Sequence, residues 1–104
     1  MKIANATIIS LINGITAIKD ADLPVKTSYI IARNFDALMN AYRPYASEVE
    51  KYIDDMEKVV ELQQIEIDVP IETLPEEMFD DLIGMDIKIS MVSLNALRVF
   101  IFTD

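Results

Sequence analysis

Glu76, Glu77, Asp80 and Asp81 stand in "PEEMFDD" with acids four residues apart, the spacing that puts side chains on one face of a helix. Carboxylates grouped this way could hold a hard metal ion or divide the work of an acid and a base. No glycine-bearing calcium loop accompanies them, and acids at a helix start already suit its dipole. A solvated acidic face is therefore expected here, and likewise at Asp54, Asp55, Glu57 and Glu61. Lys26 and Arg33, in "LPVKTSYIIARN", lie two helical turns apart and share a face with Ile30. They could grip an anion or an acidic partner. Surface pairing with Asp22 and Asp36, at spacings of four and three residues, is the simpler account. Tyr29, Tyr42, Tyr45 and Tyr52 could stack bases. Few basic residues are interleaved around the last three, so core packing or an oligomer interface is expected. Lys26, Tyr29, Arg33, Tyr45 and Tyr52 form the candidate partner-binding set.

Catalysis is disfavoured by what the chain lacks. It has no cysteine and no histidine, which removes disulfides, thiolate metal sites, the commonest general base and the commonest zinc ligand. No glycine-rich phosphate loop or nucleophile elbow occurs. The expectation is a non-enzymatic protein with no catalytic residue, no cofactor and no metal.

Charge narrows the partners. Of the net charge of −9, residues 1–47 contribute five bases against three acids, and residues 48–104 four bases against fifteen acids. The second half, at −11, would repel a phosphate backbone, so direct nucleic-acid binding is not expected. An acidic half can meet a basic partner or keep an oily protein soluble. The chain is oily, with 52% hydrophobic residues and two glycines. No run approaches the roughly 20 apolar residues of a membrane span, and no signal-peptide cleavage pattern is evident. A soluble, cytoplasmic, single-domain protein over residues 1–104 is expected, and its surplus of apolar surface points to self-association.

The elements that must position these residues read as α+β. Met1 to Ala4 can form an edge strand. Asn5 suits a helix cap, and Ile8, Leu11, Ile12, Ile15 and Ile18 follow helical spacing to a turn at Asp20-Ala21-Asp22. Asp22 as an acidic cap and Pro24 in the first turn open a second helix, whose apolar set Val25, Tyr29, Ala32, Phe35, Met39, Tyr42, Ala46, Val49, Ile53, Met56, Val60 keeps register. A parallel set runs from Ile31 through Leu38 and Tyr45 to Val59. Pro44 interrupts neither, so one long, Pro-kinked amphipathic helix over 24–62 is expected. Straight, it would measure roughly 58 Å at about 1.5 Å per residue, against a diameter of about 34 Å for a compact domain of this size. That mismatch favours a dimer formed through the helix. Ile65, Ile67 and Val69 then alternate as a strand. "TLPEEMFDDLIG" is a short helix stopped by Gly84, "MDIKIS" alternates again, Ser90 or Ser93 can cap a last helix through Leu97, and "RVFIF" can end the chain as a strand. The sheet is expected to be antiparallel, with two or three strands.

The order of "MKI-N-A", "LPVKTSYIIARN", a long helix bearing tyrosine and glutamate, "IEIDVP" and "SLNAL" resembles small proteins encoded by phages and prophages of Gram-positive bacteria. Lys2, Ile3, Asn5, Ala6, Leu23, Pro24, Lys26, Ser28, Ala32 and Asn34 carry the resemblance, and Pro44 departs from it. That group has no assigned activity, so the likeness gives no residue a role. It implies either virion assembly or interference with host proteins. The leading expectation is a self-associating protein-interaction module with a host or virion partner. An acidic inhibitor or DNA mimic acting on a host nuclease or defence protein is the alternative. A third is a small-ligand-binding protein or an enzyme using carboxylates alone, which would need a pocket with a buried, perturbed acid.

Overall fold

The computed structural model describes residues 1–104. An uncharged helix stands at its centre. Between Lys2 and Lys19 no residue is ionisable, and α1 (Asn5–Ile18) buries Ile8, Leu11, Ile15 and Ile18. An almost wholly apolar helix has neighbours on several sides, and α1 packs against α2 (Val25–Lys51), α3 (Met56–Gln64) and α5 (Met91–Phe100). Gly14 permits the closest of these approaches. A Cβ there would meet Leu97 Cγ at 2.9 Å and the Ser93 carbonyl at 3.2 Å.

The architecture is mostly helical with a small antiparallel sheet of two strands, which is α+β in the broad sense. β1 (Lys2–Ala4) pairs with β2 (Glu66–Asp68), with Ile3 opposite Ile67. The bond from Val69 N–H to the Met1 carbonyl, at 2.8 Å, extends the ladder. Ile3 and Val69 turn inward, so the strand ends seal one side of α1. α4 (Glu76–Ile83) buries Phe79 and Leu82 and leaves its four acids in solvent. The Phe79 ring lies 6.1 Å from Phe102. No helix is long and apolar enough to cross a membrane.

Five expectations are corrected. The helix expected over 24–62 ends at Lys51, and α3 begins at Met56 after a turn closed by Asp55 N–H bonding to the Tyr52 carbonyl at 2.9 Å. Asp55 caps α3, its side chain accepting from Lys58 N–H at 3.3 Å. Apolar period records which side chains are oily, not whether the backbone bonds continue, and aspartate competes for those bonds at a cap. The chain is continuous through Pro44, which lies inside α2. A helix of 27 residues spans about 40 Å, close to the longest dimension of 42 Å, so its length no longer demands a second copy.

The "RVFIF" segment is not a strand. α5 runs to Phe100, and Ile101 and Phe102 turn inward behind it with both amides bonded to the Leu97 carbonyl. "MDIKIS" is not a strand either, being irregular between α4 and α5. Its alternation has no second strand beside it. Two caps also differ. Asn5 is the first residue of α1, not its cap, and its Nδ2 donates to the Leu62 carbonyl at 2.8 Å, tying down the end of α3. α2 begins after Pro24 without a side-chain cap from Asp22. Ser90 does cap α5, accepting from Ser93 N–H at 3.1 Å, and α4 stops at Gly84.

Candidate partner-binding groove

α2 is apolar around much of its circumference, so burial alone does not choose its inner face. Hydrogen bonding does. The buried line is Thr27, Ile31, Asn34, Leu38 and Tyr45, a course that includes two polar residues and leaves Val25 and Tyr29 outside. Asn34, only 1% exposed, donates from Nδ2 to the Glu72 carbonyl at 2.9 Å and accepts from Glu72 N–H at 2.9 Å. A carboxamide that satisfies both backbone groups of one residue is a geometric match, and it clamps the strand-to-helix connection after β2 against α2. Thr27 Oγ1 donates to Met78 Sδ at 3.4 Å.

The clamp creates a groove. With Glu72 held alongside α2, the outer face of the helix and the connection enclose an open depression of about 480 Å³ lined by Val25, Lys26, Tyr29, Ile30, Arg33 and Glu72. Val25 is 87% exposed and Tyr29 58%. Arg33 reaches Glu72 Oε2 at 3.3 Å and sits 5.9 Å from the Tyr29 ring centroid. Both members of the ion pair are exposed, Arg33 at 64% and Glu72 at 49%, so it contributes no more than about 1 kcal/mol. Lys26 makes no salt bridge. The anticipated pairs of Lys26 with Asp22 and of Arg33 with Asp36 do not form. One free ammonium, one guanidinium shared with Glu72 and an exposed aliphatic–aromatic strip can together receive an acidic group beside an apolar side chain.

Three of the five sequence candidates, Lys26, Tyr29 and Arg33, meet here. Tyr45 and Tyr52 do not. Tyr45 lies nineteen residues beyond Lys26, about 28 Å along the helix, buried and in tilted contact with Tyr42 at 5.9 Å. Tyr52 is half-buried in the turn after α2, with Lys58 Nζ 4.8 Å from its ring centroid. Glu72 and Asn34 were missed. Nothing local links Glu72 to α2, but Asn34 carried a signal: an amide three residues after Ile31 and four before Leu38, on the oily face, needs a specific partner.

The acids do not converge. No three of them are grouped so as to hold a metal ion. Two ionisable groups depart from their ordinary ranges, both on the surface. A hydrogen bond from the terminal ammonium, 2.8 Å away, lowers the Asp68 carboxyl. A hydrogen bond to Glu48, at 2.9 Å, raises Lys51.

No family model, curated protein or solved structure matches this chain. Its function must be argued from the groove and the surface around it.

Proposed function

We propose that this chain is a non-enzymatic protein-interaction module of phage or prophage type, acting in the cytoplasm of the host cell. It binds a protein partner, from host or virion, along the outer face of α2. The observation that supports this most is the groove itself: Val25 and Tyr29 are left in solvent beside the unpaired Lys26, at a place where a polar or acidic surface would suit a chain of net charge −9. Exposed apolar groups ringed by polar ones are the usual mark of a protein contact. The partner presents an apolar side chain next to a carboxylate, the first for the strip between Val25 and Tyr29 and the second for Lys26. In this reading α2 bends at Pro44, whose ring removes a hydrogen bond to the Asn40 carbonyl.

Self-association belongs to the same proposal, supported by large apolar side chains that remain outside the core, among them Ile83, Met91 and Val92. The acidic face of α4, with Glu76, Glu77, Asp80 and Asp81 all exposed, favours a second reading, in which the chain inhibits a basic host protein. Capture from host lysate separates the two. Reversing charge in the groove with Lys26→Glu and Arg33→Glu is expected to abolish capture of the partner, while Asp80→Lys and Asp81→Lys leave it intact. The opposite pattern would transfer the function to α4. Capture insensitive to both would refute the groove.

A further inference from the structure

The irregular connection between α4 and α5, Met85–Ser90, has a strand's alternation and an open edge. Met85, Ile87 and Ile89 are half-buried and line a small apolar cavity of about 100 Å³ against Ile18, Leu94 and Leu97. Asp86, Lys88 and Ser90 alternate with them in solvent. The backbone is largely open. Ile87 N–H donates to the Met85 carbonyl at 3.0 Å, and no other amide or carbonyl from Asp86 to Ile89 bonds to a protein group. In an antiparallel ladder the N–H and C=O of every second residue face the same neighbour. Extended as a strand, with the turn bond at Asp86 released, Asp86 and Lys88 offer one consistent edge, and such edges template a further strand.

We propose that this edge pairs with the same segment of a second copy, antiparallel, about a two-fold axis at Ile87. This inference rests on the self-association just proposed and names its interface. Charge order selects the occupant. Centred on Ile87, the pairing sets Asp86 opposite Lys88 of the second copy and Lys88 opposite its Asp86, while Ile87 meets Ile87 and Met85 meets Ile89. The segment is its own charge complement, and the two residues that would exchange backbone bonds have those groups open. A uniformly acidic or basic strand would set a like charge against one of the two.

The surroundings agree. From Leu82 to Thr103 the chain carries one acid, Asp86, and two bases, Lys88 and Arg98, so two copies meet here away from their acid excess. Met91 and Val92, 76% and 69% exposed, follow the segment directly, and the exposed Ile83 precedes it. The pairing would cover them. It would also supply the partner strand that the alternation of "MDIKIS" calls for.

Sedimentation equilibrium tests the interface. The native chain is expected to dimerise at high micromolar concentration. Lys88→Asp and Asp86→Lys should each turn two attractive cross-strand pairs into repulsive ones and weaken the dimer about tenfold or more. Mixing those two variants should restore association as a heterodimer, and the double variant D86K/K88D should restore the homodimer. All of these changes lie on exposed side chains, so circular dichroism should report an unchanged fold. A chain that stays monomeric throughout would overturn both this interface and the wider reading of self-association. A dimer whose affinity neither single variant alters would overturn this interface alone and leave association to another face.

Discussion

Replacing Asn34 with alanine removes one donor and one acceptor from a position that is almost fully covered. Both backbone groups of Glu72 lose their partners, and each part-buried group left unsatisfied costs about 1–3 kcal/mol. Asn34→Ala is therefore expected to lower stability by about 2–4 kcal/mol in urea unfolding. Because the clamp also forms the groove's far wall, partner binding should weaken in the same variant even where the chain remains folded. A second residue-scale prediction concerns acid. Asp68 is lowered by the hydrogen bond from the terminal ammonium, so its folded-state value lies below its unfolded one. Such a group adds stability that is present above the unfolded value, ordinarily 3.8, and is lost as pH falls through the lower folded value. Asp68→Asn should flatten the acid limb of the stability profile and leave the neutral region little changed, since the pair is solvent-exposed. A profile of unaltered slope would remove the pair from the account.

At the scale of elements, Gly14 sets helix propensity against packing. Alanine is preferred over glycine inside a helix by about 1 kcal/mol, so on propensity alone Gly14→Ala would stabilise α1. Its Cβ would press on Leu97 Cγ at 2.9 Å and on the backbone carbonyl of Ser93 at 3.2 Å. Leu97 is fully buried and a carbonyl in α5 moves only with its helix. Overpacking of this kind costs about 1–3 kcal/mol, and a lowered melting temperature is the expected result. α1 was legible because a stretch without charge and with isoleucines at helical spacing has few other fates. The end of α2 was not. Ile53 and Met56 continue the oily register without a slip, yet both are exposed, because Asp55 between them accepts from Lys58 N–H and starts a new helix. The two polar residues on the buried line of α2 invert the usual reading: Thr27 and Asn34 are inside because partners await them, and Val25 and Tyr29 are outside.

For the whole molecule, the division of charge is the feature that composition and structure share. The groove's cations lie in the amino-terminal half, the acids of α3 and α4 in the other, and the Met85–Ser90 edge sits in a locally balanced stretch. In the proposed reading the acidic partner sits on α2 and the second copy beyond α4, so the two contacts would not compete for one surface. Composition, charge order and local alternation are properties of neighbouring residues, and from them the sequence by itself determined an α+β chain, an amino-terminal helix with isoleucines at helical spacing, a strand along Ile65, Ile67 and Val69, and a cationic pair at Lys26 and Arg33. Only the tertiary structure decided that β2 pairs with the chain's first residues, that α2 stops at Lys51, and that Asn34 holds Glu72 beside Arg33. Each of those outcomes is a hydrogen bond or a packing contact between residues distant in sequence or in competition with one another. Their strength depends on which surfaces folding brings together, a quantity that no local pattern carries.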